Sequence, residues 1–181
     1  MPETEEGAPG SLSSGVGGHV FQRLLVALDD SEAGEVALVF ATALARRMGG
    51  DLHLFHVNEY VIAGRGMTVR STADVRLLLG RAVSQVNEAG VAASGSSYPA
   101  SSRSVPKCIV AEAQDRRADA IVLGSNRHHG LDRLFASRVR SRTTRLTSLP
   151  VLTAPSPLHL SSRAQIGLDE LVRSEIEQAL S

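Results

Sequence analysis

The side chains best able to do chemistry gather after one short apolar run. Ala120-Ile121-Val122-Leu123 is stopped by Gly124, and the segment beyond it carries Ser125, Arg127, His128, His129 and Gly130. Three chemistries are open to such a set. Gly124 and Gly130 could let backbone N–H groups close on an anion. The two histidines could ligate a metal. Ser125 beside them could act as a nucleophile. Each has a plainer reading. A glycine after a strand serves turn geometry, and that reading is preferred for both. No acid or cysteine stands at a ligand-like spacing from His128 and His129, and zinc needs at least three protein ligands, so they read as an exposed loop pair. Ser125 has no evident third member.

Other candidates are scattered. Arg138, Arg142 and Arg145 share one face of a helical segment, with Arg127, Arg133 and Arg140 nearby. They read as an anion patch or as a solvated face, and the overall charge balance favours the second. His53 and His56 lie three apart in a strand, so they point to opposite faces and form no joint site alone. Asp29 stands at a strand end, either as a ligand contact or as a turn residue; both stay open. Cys108 reads as a small core residue. The chain has no G-x-S-x-G elbow, no H-E-x-x-H pair and no Walker loop.

Elements must hold these residues. Arg23–Leu28 is an apolar strand ending in Asp29-Asp30-Ser31, where Asp30 or Ser31 can cap a helix over about 32–48. Gly49-Gly50 ends that helix. Asp51–Val57 is a second strand. Residues 58–70 read as a loop with Gly64 and Gly66 as flexible points. Val75, Leu79, Ala82, Val86 and Ala89 mark a second helix. It is capped by Ser71 or Thr72 and ended by Gly90. A third strand is expected near 91–98, and a third helix has Pro106 in its first turn. Ala120–Leu123, a basic helix with Val139, Thr143 and Leu146 at helical spacing, and Val151-Leu152 after Pro150 complete the pattern. Alternating strands and helices call for a mostly parallel sheet with helices on both faces and right-handed crossovers. Ligands of such sheets sit at the carboxyl ends of the strands.

The bulk numbers agree. The chain has 181 residues, 43% of them hydrophobic, enough for one domain with a core and some excess chain. Its 19 basic and 19 acidic residues cancel, and only 3% are aromatic, which argues against a nucleic-acid partner. The single cysteine excludes an internal disulfide. No run of about 18 apolar residues exists, so no membrane partner is expected. The acidic N-terminus lacks the basic and apolar regions of a secretory signal, and the cytoplasm is the expected location. Residues 1–19, rich in Gly, Ser, Pro and Glu, are expected to be disordered. The domain is expected over 20–157 and an amphipathic helical extension over 158–181.

Read together, the chain resembles the universal stress proteins, within the adenine nucleotide alpha-hydrolase-like superfamily. The likeness rests on Arg23–Glu32, Leu54–Val57, Ala118–Ser125, Gly130–Leu134 and Leu149–Leu152, in order, over roughly 20–155. It implies a Rossmann-like three-layer α/β sandwich with a five-stranded parallel sheet in the order 3-2-1-4-5. It also implies a stress role and homodimers, here through the last strand, Pro150–Ala154. Nucleotide-binding members carry G-x2-G-x9-G-[ST]. Laid on Gly124, that pattern puts Arg127, Ser137 and Arg138 where two glycines and a Ser/Thr belong. Asp29 matches the acid near the adenosine end, and Val57 a residue bordering the adenine.

The candidate nucleotide site is therefore Asp29, Val57, Gly124, Arg127, Gly130, Ser137 and Arg138, with a degenerate phosphate loop. ATP or another adenine nucleotide is expected to bind weakly or not at all, and no metal is expected beyond nucleotide-associated magnesium. The favoured reading is a non-catalytic stress-response homodimer with an unknown protein partner. One alternative is an adenine-nucleotide switch using Asp29, Gly124 and loop arginines, which can hold an anion by a charged fork. A slow ATPase is the other.

Overall fold

The computed structural model describes residues 21–63, 66–125, 131–155 and 176–178, with the backbone alone over 61–63, 66–68 and 131–137. Its elements are β1 (Arg23–Ala27), α1 (Glu32–Met48), β2 (Asp51–Ala63), β3 (Gly66–Thr68), α2 (Thr72–Glu88), β4 (Ala93–Ser101), α3 (Val105–Asp115), β5 (Ala120–Leu123), α4 (Leu131–Leu146) and β6 (Val151–Thr153).

Five strands lie parallel in the spatial order β4-β2-β1-β5-β6. Counting only those five, the order is 3-2-1-4-5, as expected. Leu25 of β1 faces His53 of β2 on one side and Ile121 of β5 on the other. Central strands are buried on both faces, so they read as unbroken apolar runs. Leu24, Leu25 and Val26 are all essentially inaccessible. Burying each such side chain contributes about 1.5–3 kcal/mol. Alternation splits them between two cores. Leu24 and Val26 pack under α1 and α2 with Phe40, Leu44, Leu79 and Val86. Leu25 and Ile121 pack under α3 with Phe55, Ile109 and Ala113, where Val139 of α4 and Cys108 join them.

The stretch over 58–70 departs from the expected loop. β2 runs on to Ala63 and folds back through β3, which pairs antiparallel with it, Ile62 opposite Met67. Val61, Ile62 and Thr68 are β-branched and suit a two-stranded ribbon; the glycines hid this. The third parallel strand spans Ala93–Ser101, later and longer than expected, because its partner β2 pulls a weak Ser-rich sequence into register. Leu146 is also misplaced by helical spacing: Thr143 is wholly buried while Leu146 is 46% exposed at the helix end. The C-terminal extension falls outside the described residues except for 176–178, which are helical, with Ile176 packed on the first core.

Candidate functional site

The carboxyl ends of β1, β2 and β5 bring three of the expected site residues together. Val26 pairs with Val122, so Asp29 and Gly124 leave adjacent strands side by side. Ala27 pairs with Phe55, which sets Val57 just beyond on the other flank. The chain turns one way from β1 to β2 and the other way from β5 to β6. This crevice is the topological switch point, where open α/β sheets hold ligands.

The side chains there are mostly engaged in holding the fold. Asp29 accepts hydrogen bonds on Oδ1 from the N–H and the hydroxyl of Ser31. Ser31 in turn caps α1, its Oγ accepting from the Gly34 N–H at 3.1 Å. Asp29 is thus a turn residue that positions a helix cap. It also has an exposed face. Gly124 is demanded by packing, since a Cβ there would lie 2.6 Å from the carbonyl oxygen of Ala33 in the first turn of α1. Val57 is half-buried against the second core. Arg138 is exposed on α4. Ser137 is placed within α4 by its backbone, while Arg127, His128, His129 and Gly130 lie outside the described residues.

Beside the crevice, on the α1–α2 side, opens a cleft of about 410 Å³. Its charged lining is Asp29, Asp30, Glu35 and Asp74 against Arg70 and Arg81, above an apolar floor that includes Leu28 and Leu38. Arg70 is paired with Asp30, and this hydrogen-bonded guanidinium, against the opposing effect of burial, holds the Asp30 carboxyl below its ordinary value. The cleft therefore presents more negative than free positive charge. Among the described residues no group of three or more His, Cys, Asp or Glu could hold a metal ion.

Two arrangements escaped the sequence. His56 is buried, and its Nδ1 donates to the carbonyl of Leu28 at 2.9 Å, stitching β1 to β2 just below the crevice. His53 faces the other way, as its strand position requires, and meets Ser94, Ser96 and Glu112. The Ser-x-Ser spacing and the Glu112/Arg116 step of four were visible, but only the β2–β4 register joins them.

A family model describing the universal stress protein family matches residues 21–155. The chain belongs to the universal stress protein family. Solved structures agree on the fold. A universal stress protein family member from Burkholderia pseudomallei is 22% identical with a TM-score of 0.58, covering 82% of this chain and 100% of that one. A universal stress protein from Archaeoglobus fulgidus, solved with dAMP, is 24% identical with a TM-score of 0.54, covering 75% and 99%. A universal stress protein in complex with cAMP is 19% identical with a TM-score of 0.58, covering 74% and 96%. No curated protein matches the chain. No described helix is long and apolar enough to cross a membrane.

Proposed function

We propose that this universal stress protein is a non-catalytic module of the stress response whose switch-point site takes ATP weakly or not at all. The observation that carries the reading is Gly124. It is the only glycine of the phosphate-loop pattern that the sequence keeps, and the contact with Ala33 accounts for it without a ligand. Arg127, Ser137 and Arg138 stand at the other pattern positions, and each adds a Cβ where backbone N–H groups would have to approach phosphate. The acidic cleft next to Asp29 adds an unfavourable field for a polyanion. A homodimer through β6, the last strand in the order of the described sheet, and a soluble cytoplasmic setting fit this reading, with a protein rather than a nucleotide as the main partner.

A second reading is favoured by one observation. Asp29 keeps an exposed face at the crevice, and the structural neighbours with dAMP and cAMP hold ligands that carry one phosphate. An adenine monophosphate makes less demand on a phosphate loop than ATP does. Titration calorimetry with ATP, ADP, AMP and cAMP, with and without magnesium, separates the two. The first reading expects no heat up to millimolar ATP. Micromolar ATP binding overturns it, and binding of monophosphates alone, lost in Asp29→Ala, establishes the second.

A further inference from the structure

The cluster around His53 lies at the amino end of β2, two residues from its start and at the opposite end of the sheet from the switch point. It belongs to no part of the nucleotide reading. His53 stands directly opposite Ser94 in the β2–β4 register, and Ser96, two residues on, falls on the same face. α3 lays Glu112 over them. His53 Nδ1 is 2.8 Å from Ser94 Oγ; its Nε2 is 2.9 Å from Glu112 Oε1 and 2.8 Å from Ser96 Oγ. Ser96 Oγ donates to Glu112 Oε1 at 2.7 Å, and Arg116 Nε donates to the same oxygen at 2.9 Å.

The protons can be assigned by elimination. A carboxylate only accepts, so the hydrogen between His53 and Glu112 sits on Nε2. A neutral ring then has its lone pair on Nδ1, and Ser94 must donate to it. Ser96 has already given its hydrogen to Glu112. The ring is neutral near pH 7: burial pushes the imidazole below its ordinary 6.5 and nearby Arg116 adds to this, while Glu112 and Asp51 pull the other way. The chain Ser94–His53–Glu112 thus has the connectivity of a nucleophile, its base and the group that orients the base. Burial divides the roles as well. His53 is 6% exposed, whereas Ser94 is open to solvent on the edge strand.

We propose that Ser94 is an activated nucleophile that accepts an acyl group from a small activated ester. Ser94 Oγ attacks the carbonyl carbon as its hydroxyl proton passes to His53 Nδ1. The tetrahedral adduct collapses, the bond to the departing alcohol oxygen breaks, and the same proton leaves Nδ1 for that oxygen. Acyl-Ser94 and a free alcohol result, with no change of oxidation state. Glu112 stabilises the transient imidazolium through Nε2–H, and Arg116 keeps Glu112 ionised. The exposure of Ser94 to solvent makes this a stoichiometric modification of the protein rather than a turnover site.

The test uses the full chain, p-nitrophenyl acetate and an alkyl fluorophosphonate, with the adduct mapped by peptide mass spectrometry. With the fluorophosphonate, Oγ bonds to phosphorus, fluoride departs and His53 passes its proton to solvent. One adduct per chain is expected, on Ser94, absent in Ser94→Ala. In His53→Asn the rate falls on the order of a hundredfold, the usual contribution of a general base. In the unaltered protein the rate follows deprotonation of His53 and levels off above an inflection lying below 6.5. No adduct, an adduct on Ser96 or Ser97, an unchanged rate in His53→Asn, or a rate that climbs about tenfold per pH unit through pH 8 as for an unassisted hydroxyl overturns the proposal. The pH profile needs no variant, so a misfolded His53→Asn leaves the test intact.

Discussion

Gly124 and Asp29 show how residue types shared with a ligand site can be held in place by the fold. Replacing Gly124 by alanine would drive a methyl group onto the Ala33 carbonyl, 2.6 Å away. Overpacking of this kind costs about 1–3 kcal/mol, so urea unfolding of Gly124→Ala should show a lower midpoint with an unchanged slope. If the glycine instead served only a ligand, stability would stay the same. The His53–Glu112 pair makes a prediction in pH. Burial disfavours the charge on Glu112, but the hydrogen bonds from Ser96, Arg116 and His53 together outweigh it and hold the carboxyl below its ordinary 4.5. Burial likewise holds His53 below 6.5. Both groups bind fewer protons folded than unfolded. Their contribution is therefore present above the unfolded values and is lost on acidification, for His53 below pH 6.5 and for Glu112 below 4.5. Comparing chemical denaturation of His53→Gln with the parent across pH 5–7 should show a flatter profile in the variant.

At the scale of the element, three helices end in the same way with different residues. α1 ends at Gly49, φ +68, with the Gly50 N–H donating to the Ala45 carbonyl. Beyond α2, Gly90 has φ +81 and the Val91 N–H reaches the Val86 carbonyl. After α3 the left-handed position is Arg117, φ +52, with the Ala118 N–H on the Ala113 carbonyl at 2.8 Å. Only glycine adopts this conformation without a steric penalty. Gly49→Ala should therefore lose about 1 kcal/mol, and Arg117→Gly should gain up to about that much. Thermal melts of the two variants, moving in opposite directions, check this. The glycine stops were legible in the sequence. The end of α3 near Arg116-Arg117 was legible too, but the left-handed backbone at Arg117 was not, because tertiary contacts hold an unfavourable residue there: Ala118 is buried in the second core.

At the scale of the whole molecule, the described part of the C-terminal extension touches the domain. Ile176 packs on the core formed by α1, α2 and the sheet. Deleting residues 158–181 should uncover that surface and lower the melting temperature. A loss of about 1 kcal/mol corresponds to roughly 2–4 °C in a chain of this size. Light scattering on the same deletion separates two roles: a domain that melts lower at unchanged mass has lost a cover of its own, whereas a halved mass places the extension between subunits. An unchanged melting temperature and mass would remove the extension from the stability of the domain altogether.

Composition and periodicity were enough for the architecture. A parallel sheet buried on both faces needs short apolar runs such as Leu24–Leu28 and Ala120–Leu123, and crossover helices need stripes such as Val75, Leu79, Ala82 and Val86. These are local demands, so they are written locally, and the caps Ser31 and Ser71 with the glycine stops mark the boundaries. What faces what is a different matter. The turn back through β3, the placing of Asp29 over the cap of α1, the contact that requires Gly124 and the alignment of Ser94 with His53 all depend on strand register and on a helix crossing above. Register is set by the burial of both faces at once, and no window of the sequence contains both partners. His53 and Ser94 stand 41 residues apart and His53 and Glu112 59 apart. Tertiary structure alone decided that a histidine with no visible companions has three.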